Sequence, residues 1–156
     1  MRHRTVVAGL GARGKVHLRG LLENPERYEI VGLYDPSAAA VNAVKKMFGL
    51  DLAFSSAEEM MERTKPEVLV FATHPDHRTD YVELGVRYGV KGISFEKPMA
   101  VSLSQANQIT DLCLKNGVKA VVSHQQKYLR QMRELRSHVA SGKIGRPVLI
   151  RISTAA

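Results

Sequence analysis

The chain has 156 residues, 44% of them apolar and 24% charged, with one cysteine and a formal net charge of +8. That length supports one domain with a real core, and ordinary apolar content excludes a disordered chain. A single cysteine excludes an internal disulfide framework and fits a reducing compartment. No apolar run is long enough to span a bilayer and the first strand starts too early for a signal peptide, so a soluble, cytoplasmic protein is expected. The charge excess is local. Residues 1–114 hold 14 Lys plus Arg against 14 Asp plus Glu, while residues 115–156 hold nine bases against the one acid Glu134. That basic end reads as an amphipathic helix and a strand without interleaved exposed aromatics, which suits a docking face for an acidic partner better than a nucleic-acid surface.

In chain order, Val6-Val7-Ala8 is an apolar run that stops at Gly9-Leu10-Gly11-Ala12-Arg13-Gly14, where a helical pattern begins. Gly9 can turn tightly without a Cβ penalty, Gly11 lets a phosphate approach the backbone, and Gly14 lets the helix lie close on the strand. The first helix carries His17, Leu18, Leu21 and Leu22 on its apolar stripe and ends at Asn24-Pro25. A second strand, Tyr28 to Tyr34, ends at Asp35, 21 residues beyond Gly14, the place of a carboxylate that grips a ribose diol. Pro36-Ser37 opens a helix with the stripe Val41, Val44, Met47 and Phe48, stopped by Gly49. Leu52-Ala53-Phe54 is a weak third strand, and Ser55 with Glu58 forms a capping box for a helix whose Met60 and Met61 fill core.

Glu67 to Ala72 is continuous and apolar apart from its first residue, as a strand buried on both faces should be. It runs into Thr73-His74-Pro75-Asp76-His77, then a helix with Tyr81, Leu84 and Tyr88 on one face, ended by Gly89. A fifth strand, Gly92 to Phe95, leads into Glu96-Lys97-Pro98. The sixth unit has a Ser102/Gln105 capping box, a helix in which Cys113 continues the stripe of Ala106 and Ile109, and a strand from Val118 to Val122 ending at Ser123-His124. Six strands alternating with helices predict a doubly wound parallel α/β sheet of the Rossmann type. Lys127 to Ser141 then reads as an amphipathic helix with Tyr128, Met132, Leu135 and Val139 inward. Val148 to Ser153 alternates as a last strand without a sheet: frayed, paired with another chain, or opening a further domain, the last being favoured. The expected division is a dinucleotide-binding domain at 1–126 and a linker helix with a first strand at 127–156.

In an open parallel sheet, ligands sit beyond the carboxyl ends of the strands. The polar residues gather there: the glycine turn, Asp35, Thr73 to His77, Glu96-Lys97, and His124. Lys97 is the candidate catalytic residue, because an ammonium beside a nicotinamide can hydrogen-bond a substrate oxygen and move its proton as hydride leaves the carbon, and a dry cleft disfavours the charged form. Glu96 orients its neighbours or holds a ribose hydroxyl. His74 and His77 lack the converging partners of a zinc site, so they are assigned to cofactor ribose or substrate, with Asp76 as a cap and a structural loop as the other reading. His124 carries the same two readings. Asp35 would repel a 2′-phosphate, which favours NAD; Arg13 keeps NADP as the alternative.

Gly9 to Gly14, the strand-end Asp35, Phe71-Ala72-Thr73, Glu96-Lys97-Pro98-Met99-Ala100 and Gly142-Lys143-Ile144-Gly145-Arg146-Pro147 together resemble the N-terminal half of the glucose-fructose oxidoreductase, inositol dehydrogenase and MocA family. The resemblance covers the whole chain. It implies an NAD(P)-dependent dehydrogenase of a sugar, polyol or related hydroxyl compound, with Lys97 in the place of the family's active-site lysine, a cis Lys97-Pro98 bond, and Ala72, Thr73 and their neighbours lining the nicotinamide ribose. The family's Thr-Pro-Asn with a following His is shifted here by one residue. Family members continue into a second α/β domain that completes the substrate pocket, with Val148 to Ser153 as its first strand. The competing expectations are a stand-alone NAD-binding or sensing module that presents the basic helix to a partner, self-associating through 148–153, and half of an NAD-dependent glycoside hydrolase.

Overall fold

Val6, Val7 and Ala8 are wholly buried because their strand has a neighbour on each side and helices over each face. The computed structural model describes residues 1–151 and 153, in two units, Met1–Ser123 and His124–Ala156. In the first unit, β1 (His3–Ala8), β2 (Tyr28–Tyr34), β3 (Val68–Phe71), β4 (Gly92–Glu96) and β5 (Lys119–Ser123) form one parallel sheet in the order β2-β1-β3-β4-β5. The chain moves outward from β1 to β2, then crosses back to β3 on the other side of β1. The carboxyl ends of β1 and β3 therefore part at a switch point, where a crevice opens.

Alternation along the strands assigns the two faces. Val7, Leu33 and Val70 pack with Leu18 of α1 (Ala12–Leu22) and Val44 of α2 (Ala38–Phe48). Val6, Leu69, Phe71, Ile93 and Phe95 pack on the opposite face with Met60 and Met61 of α3 (Ala57–Thr64), Val82 and Leu84 of α4 (Arg78–Arg87), and Ile109 and Cys113 of α5 (Leu103–Lys115). Both methionines are core filler as expected, and Cys113 is a buried hydrophobe whose thiol is pushed up in pKa by burial.

Several sequence expectations need correction. Leu52-Phe54 contributes a single parallel bridge, Leu33 to Ala53, so the sheet has five full strands with one bridged residue beside β2. The capping box of α3 is one residue later than expected. Ser56 accepts from Glu59 N at 3.0 Å, and the Glu59 carboxylate reaches back to Ser55 N and Oγ. The Ser102/Gln105 box forms as predicted, with Gln105 Oε1 accepting from Val101 N. Met47 turns away from its stripe and is exposed.

The second unit contains a short helical turn at Gln125–Tyr128 and α6 (Arg130–Ala140), which starts later than the predicted helix because Tyr128 belongs to the turn. Tyr128, Met132, Leu135 and Val139 are exposed, not inward. The predicted strand at 148–153 does not form over Val148 to Arg151, since a lone strand has no ladder to satisfy its backbone. Ile152 of that segment lies outside the described residues. Among the described residues no helix is long and apolar enough to cross a membrane.

Candidate functional site

The glycine turn is built by three different constraints. Gly9 has φ +82°, in the left-handed region, and an added Cβ would stand 2.7 Å from the Ala72 carbonyl oxygen. Gly14 begins its contact closer still: a Cβ there would lie 1.7 Å from the Gly9 oxygen, so the helix can approach the loop only through a bare Cα. Gly11 differs from both, because nothing lies within 4 Å of the position its Cβ would take. No contact with the described residues requires a glycine there, and the backbone stands open to approach.

Gly11 is also the N-cap of α1 and offers no side-chain cap, and the first turn carries no acid. The first helical hydrogen bond runs from Lys15 N to Gly11 O at 3.0 Å, which leaves the N–H groups of the preceding turn without intrahelical acceptors. Such a helix start presents positive partial charge to an anion. Leu10 is placed differently from the expectation: its side chain is wholly buried and its N–H already donates to Asp35 Oδ2 at 2.6 Å. Ala12 opens the helix with its side chain exposed.

Asp35 follows β2 and accepts from Leu10 N with one oxygen and from Ser37 N at 2.8 Å with the other. It therefore ties the glycine turn to the head of α2, and each oxygen keeps a lone pair for a hydroxyl donor. A crevice of about 440 Å³ joins Gly9, Gly11 and Asp35 to Ala72, Thr73 and Tyr81. His74 and His77 line its outer edge. His74 Nδ1 lies 2.8 Å from Asp76 Oδ2 and His77 Nδ1 lies 3.7 Å from Asp80 Oδ2. Asp76 thus partners His74 and does not cap a helix. Tyr81 was read only as a helix-face residue; it stacks on Phe71 with centroids 5.1 Å apart, and burial pushes its phenol up to about 12. The hydroxyl of Thr73, a residue that lines the crevice, is buried without a hydrogen-bond partner among the described residues. A second cleft of about 360 Å³ between α3 and α4, lined by Glu58, Tyr81 and Arg87, contains none of the predicted site residues.

At the far end, Glu96 is the last residue of β4 and is buried. Arg13 donates to its Oε1 from Nε at 3.0 Å and from Nη2 at 2.8 Å, and His17 Nε2 lies 2.8 Å from the same oxygen. The expectation that His17 belongs to the apolar stripe is therefore wrong. Arg13 and His17, four residues apart on one helix face, reach the same carboxylate. These bonds to Glu96 clasp α1 to β4. Lys97 follows it, joined to Pro98 by a cis peptide as the resemblance implied. Lys97 is exposed in this chain, so the dry cleft expected around it is not made by these residues. Beneath it lies Arg78, which sequence reading missed: it is 2% exposed and donates from Nη2 to the Lys97 carbonyl oxygen at 3.1 Å. Burial lowers its pKa, with Glu96 opposing. His124 is the first residue of the second unit, ahead of Gln125–Tyr128.

Asp35 and Lys97 stand beyond strands three steps apart, and adjacent strands are spaced by about 4.8 Å, so the two ends of the site are about 14 Å apart across the sheet. Between them lie bare helix-start amides, an open glycine and an unpartnered threonine hydroxyl. A parallel doubly wound sheet with these features defines a dinucleotide-binding domain, and an NAD molecule fits the groups present. The sequence pattern of the oxidoreductase family with an NAD-binding Rossmann fold, the glucose-fructose oxidoreductase, inositol dehydrogenase and MocA group, matches residues 3–124, and the chain belongs to that family.

Among its relatives, D-apiose dehydrogenase of Paraburkholderia graminis is 27% identical over 153 residues, covering 97% of this chain and 40% of that protein. Inositol 2-dehydrogenase of Salmonella typhimurium is 23% identical over 146 residues, covering 92% and 43%. The crystal structure of scyllo-inositol dehydrogenase from Lactobacillus casei, with bound NAD(H) and scyllo-inositol, superposes with a TM-score of 0.84 at 16% identity, over 93% of this chain and 43% of that one. The likeness to that structure is one of fold. The chain spans less than half the length of each of these three proteins.

Proposed function

We propose that this chain forms the cofactor-holding part of a dehydrogenase that moves hydride between NAD and a sugar, polyol or related hydroxyl compound. The observation that carries the proposal is Gly11: an open, uncapped helix start with no protein packing reason for its glycine, set between Asp35 and the Glu96-Lys97 end. In this reading Asp35 accepts from the adenosine ribose hydroxyls, with Pro36 and Tyr81 as the apolar wall beside them. The amides of Gly11, Ala12, Arg13 and Gly14 receive the diphosphate. Ala72 and Thr73 line the nicotinamide ribose, where the free Thr73 hydroxyl finds its acceptor, and His74, His77 and His124 are assigned to cofactor or substrate contacts. When bound, NAD supplies the carbon that takes or gives the hydride.

The protein's own chemistry then rests on Lys97. Lys97 hydrogen-bonds the substrate oxygen, its ammonium giving that oxygen a proton when a carbonyl is reduced and its neutral amine accepting the hydroxyl proton when an alcohol is oxidised. Because Lys97 is exposed here, sequence from the more than half of the relatives' length that these residues do not match is assigned the task of closing the site and selecting substrate. NAD is favoured over NADP because Asp35 meets the adenosine ribose with negative charge, while the guanidinium of Arg13 is engaged with Glu96 three strands away. A cytoplasmic place is proposed from the single, buried Cys113. Self-association through residues 148–153 is proposed from the exposure of Val148, Leu149 and Ile150, and light scattering would test it.

The direct test is titration with NADH followed by nicotinamide fluorescence. Saturable binding is expected, and none at millimolar NADH would overturn the proposal. In the full-length protein, Lys97→Ala should abolish turnover while sparing NADH binding; equal loss of both would make Lys97 a scaffold residue.

A further inference from the structure

Arg78 is the largest side chain in the interior, and hydrophobic packing does not account for it. It starts α4, directly after the crevice-lining loop that ends at His77. Its guanidinium carbon stands 5.9 Å from the centre of the Phe95 ring, and Nη2 holds the Lys97 carbonyl oxygen. Its Nε and Nη1 are buried and find no hydrogen-bond partner among the described residues. Burying a guanidinium with two donors unspent is costly. The group therefore sits where stability alone would not put it. The one bond it makes is to the backbone of the residue whose side chain is meant to act.

We infer that Arg78 is a positioning residue, fixing the Glu96-Lys97-Pro98 turn from below so that Lys97 is presented at the nicotinamide end of the site. The inference rests on the NAD reading above. Glu96 is clasped from α1 by Arg13 and His17, and Lys97 is held at its carbonyl from α4, so the turn is gripped from two helices on opposite faces of the sheet. The Lys97 side chain itself is exposed, and its direction depends on the backbone beneath it. Methionine at position 78 would fill the space without a donor; lysine could still give one hydrogen bond to the carbonyl.

The test compares R78M and R78K with the unaltered full-length protein, using two probes. ADP-ribose reports the adenosine and diphosphate end, and NADH adds the nicotinamide end. R78M should bind ADP-ribose within about twofold of the unaltered protein. Lys97→Ala keeps the backbone of the turn in place, whereas R78M releases the whole Glu96-Lys97-Pro98 turn beside the nicotinamide end, so its NADH advantage over ADP-ribose should fall about tenfold, the worth of the bond that held the turn, and R78K should recover most of it. Parallel loss of both probes in R78M, unchanged NADH binding in R78M, or an R78K protein no better than R78M would each overturn the positioning role. An unaltered protein that binds neither probe overturns the NAD reading and this inference with it.

Discussion

Gly11→Ala separates the fold from the site. The Gly11 backbone has φ −65° and ψ −165°, extended geometry that alanine adopts without strain, and no protein atom lies within 4 Å of the new methyl. Replacing glycine at such a place restricts the unfolded chain, about 0.4–1 kcal/mol in favour, and is offset by a similar loss of N-cap preference, since glycine caps a helix better than alanine. For a chain of this size the net is a Tm change within about 3 °C. The same methyl occupies the space through which a diphosphate must reach the helix-start amides. Losing one charge-assisted hydrogen bond costs about 1.5–3 kcal/mol, so the Kd for NADH should rise about ten- to a hundredfold. Thermal melting and NADH titration on one preparation measure both numbers. Gly14→Ala is the internal contrast. Its Cβ would sit 1.7 Å from the Gly9 oxygen, so helix and loop must move apart at a cost of about 3 kcal/mol or more, about 6–12 °C. A Gly11→Ala protein that melts well below that range and binds NADH normally would refute the reasoning, as would a Gly14→Ala protein that melts unchanged.

Asp35→Ala should leave the buried Leu10 N–H without its acceptor, costing about 1–3 kcal/mol and several degrees of Tm, and should narrow the preference for NADH over NADPH, read by paired titrations. Glu67 accepts from Lys91 and pairs with His3; the Lys91 bond is the largest effect and lowers its pKa, desolvation opposes it next, and the His3 bond adds a smaller lowering. A carboxyl lowered in the folded state contributes stability above the ordinary carboxylate pKa, about 4.3, and loses it as pH falls through the folded value. The Tm gap between the native protein and Glu67→Gln should be full at pH 7 and close towards pH 3; a gap independent of pH would refute this. Cys113 should react with a thiol reagent at least about a hundredfold more slowly in the native protein than in urea, since reaction requires local opening. Equal rates would show that its place in the α5 core is wrong.

Much of the site was legible before any coordinates. The glycine spacing, the acid 21 residues on and the Glu-Lys-Pro segment each depend on a few neighbouring residues, and turn chemistry and strand alternation are short-range properties. They placed β1 to β5, the helix starts at Ser37 and Ser102, and the buried methionines and cysteine. The same reading failed wherever an outcome depended on distant partners. His17 looked apolar by its helical position, yet its ring meets a carboxylate 79 residues further on, and Arg13 meets the same group across 83. Nothing near Arg78 in sequence marks it as buried; its acceptor is the carbonyl of Lys97, 19 residues away on the next strand's end. Val148 to Arg151 has the alternation of a strand and lacks a ladder to join. Local spacing determined where the bare helix-start amides and the Asp35 carboxylate lie, because one turn and one strand suffice to present them. Only the tertiary structure decided which charges hold Glu96 and Lys97 in place, because strand order, not sequence distance, brings α1 and α4 to the end of β4.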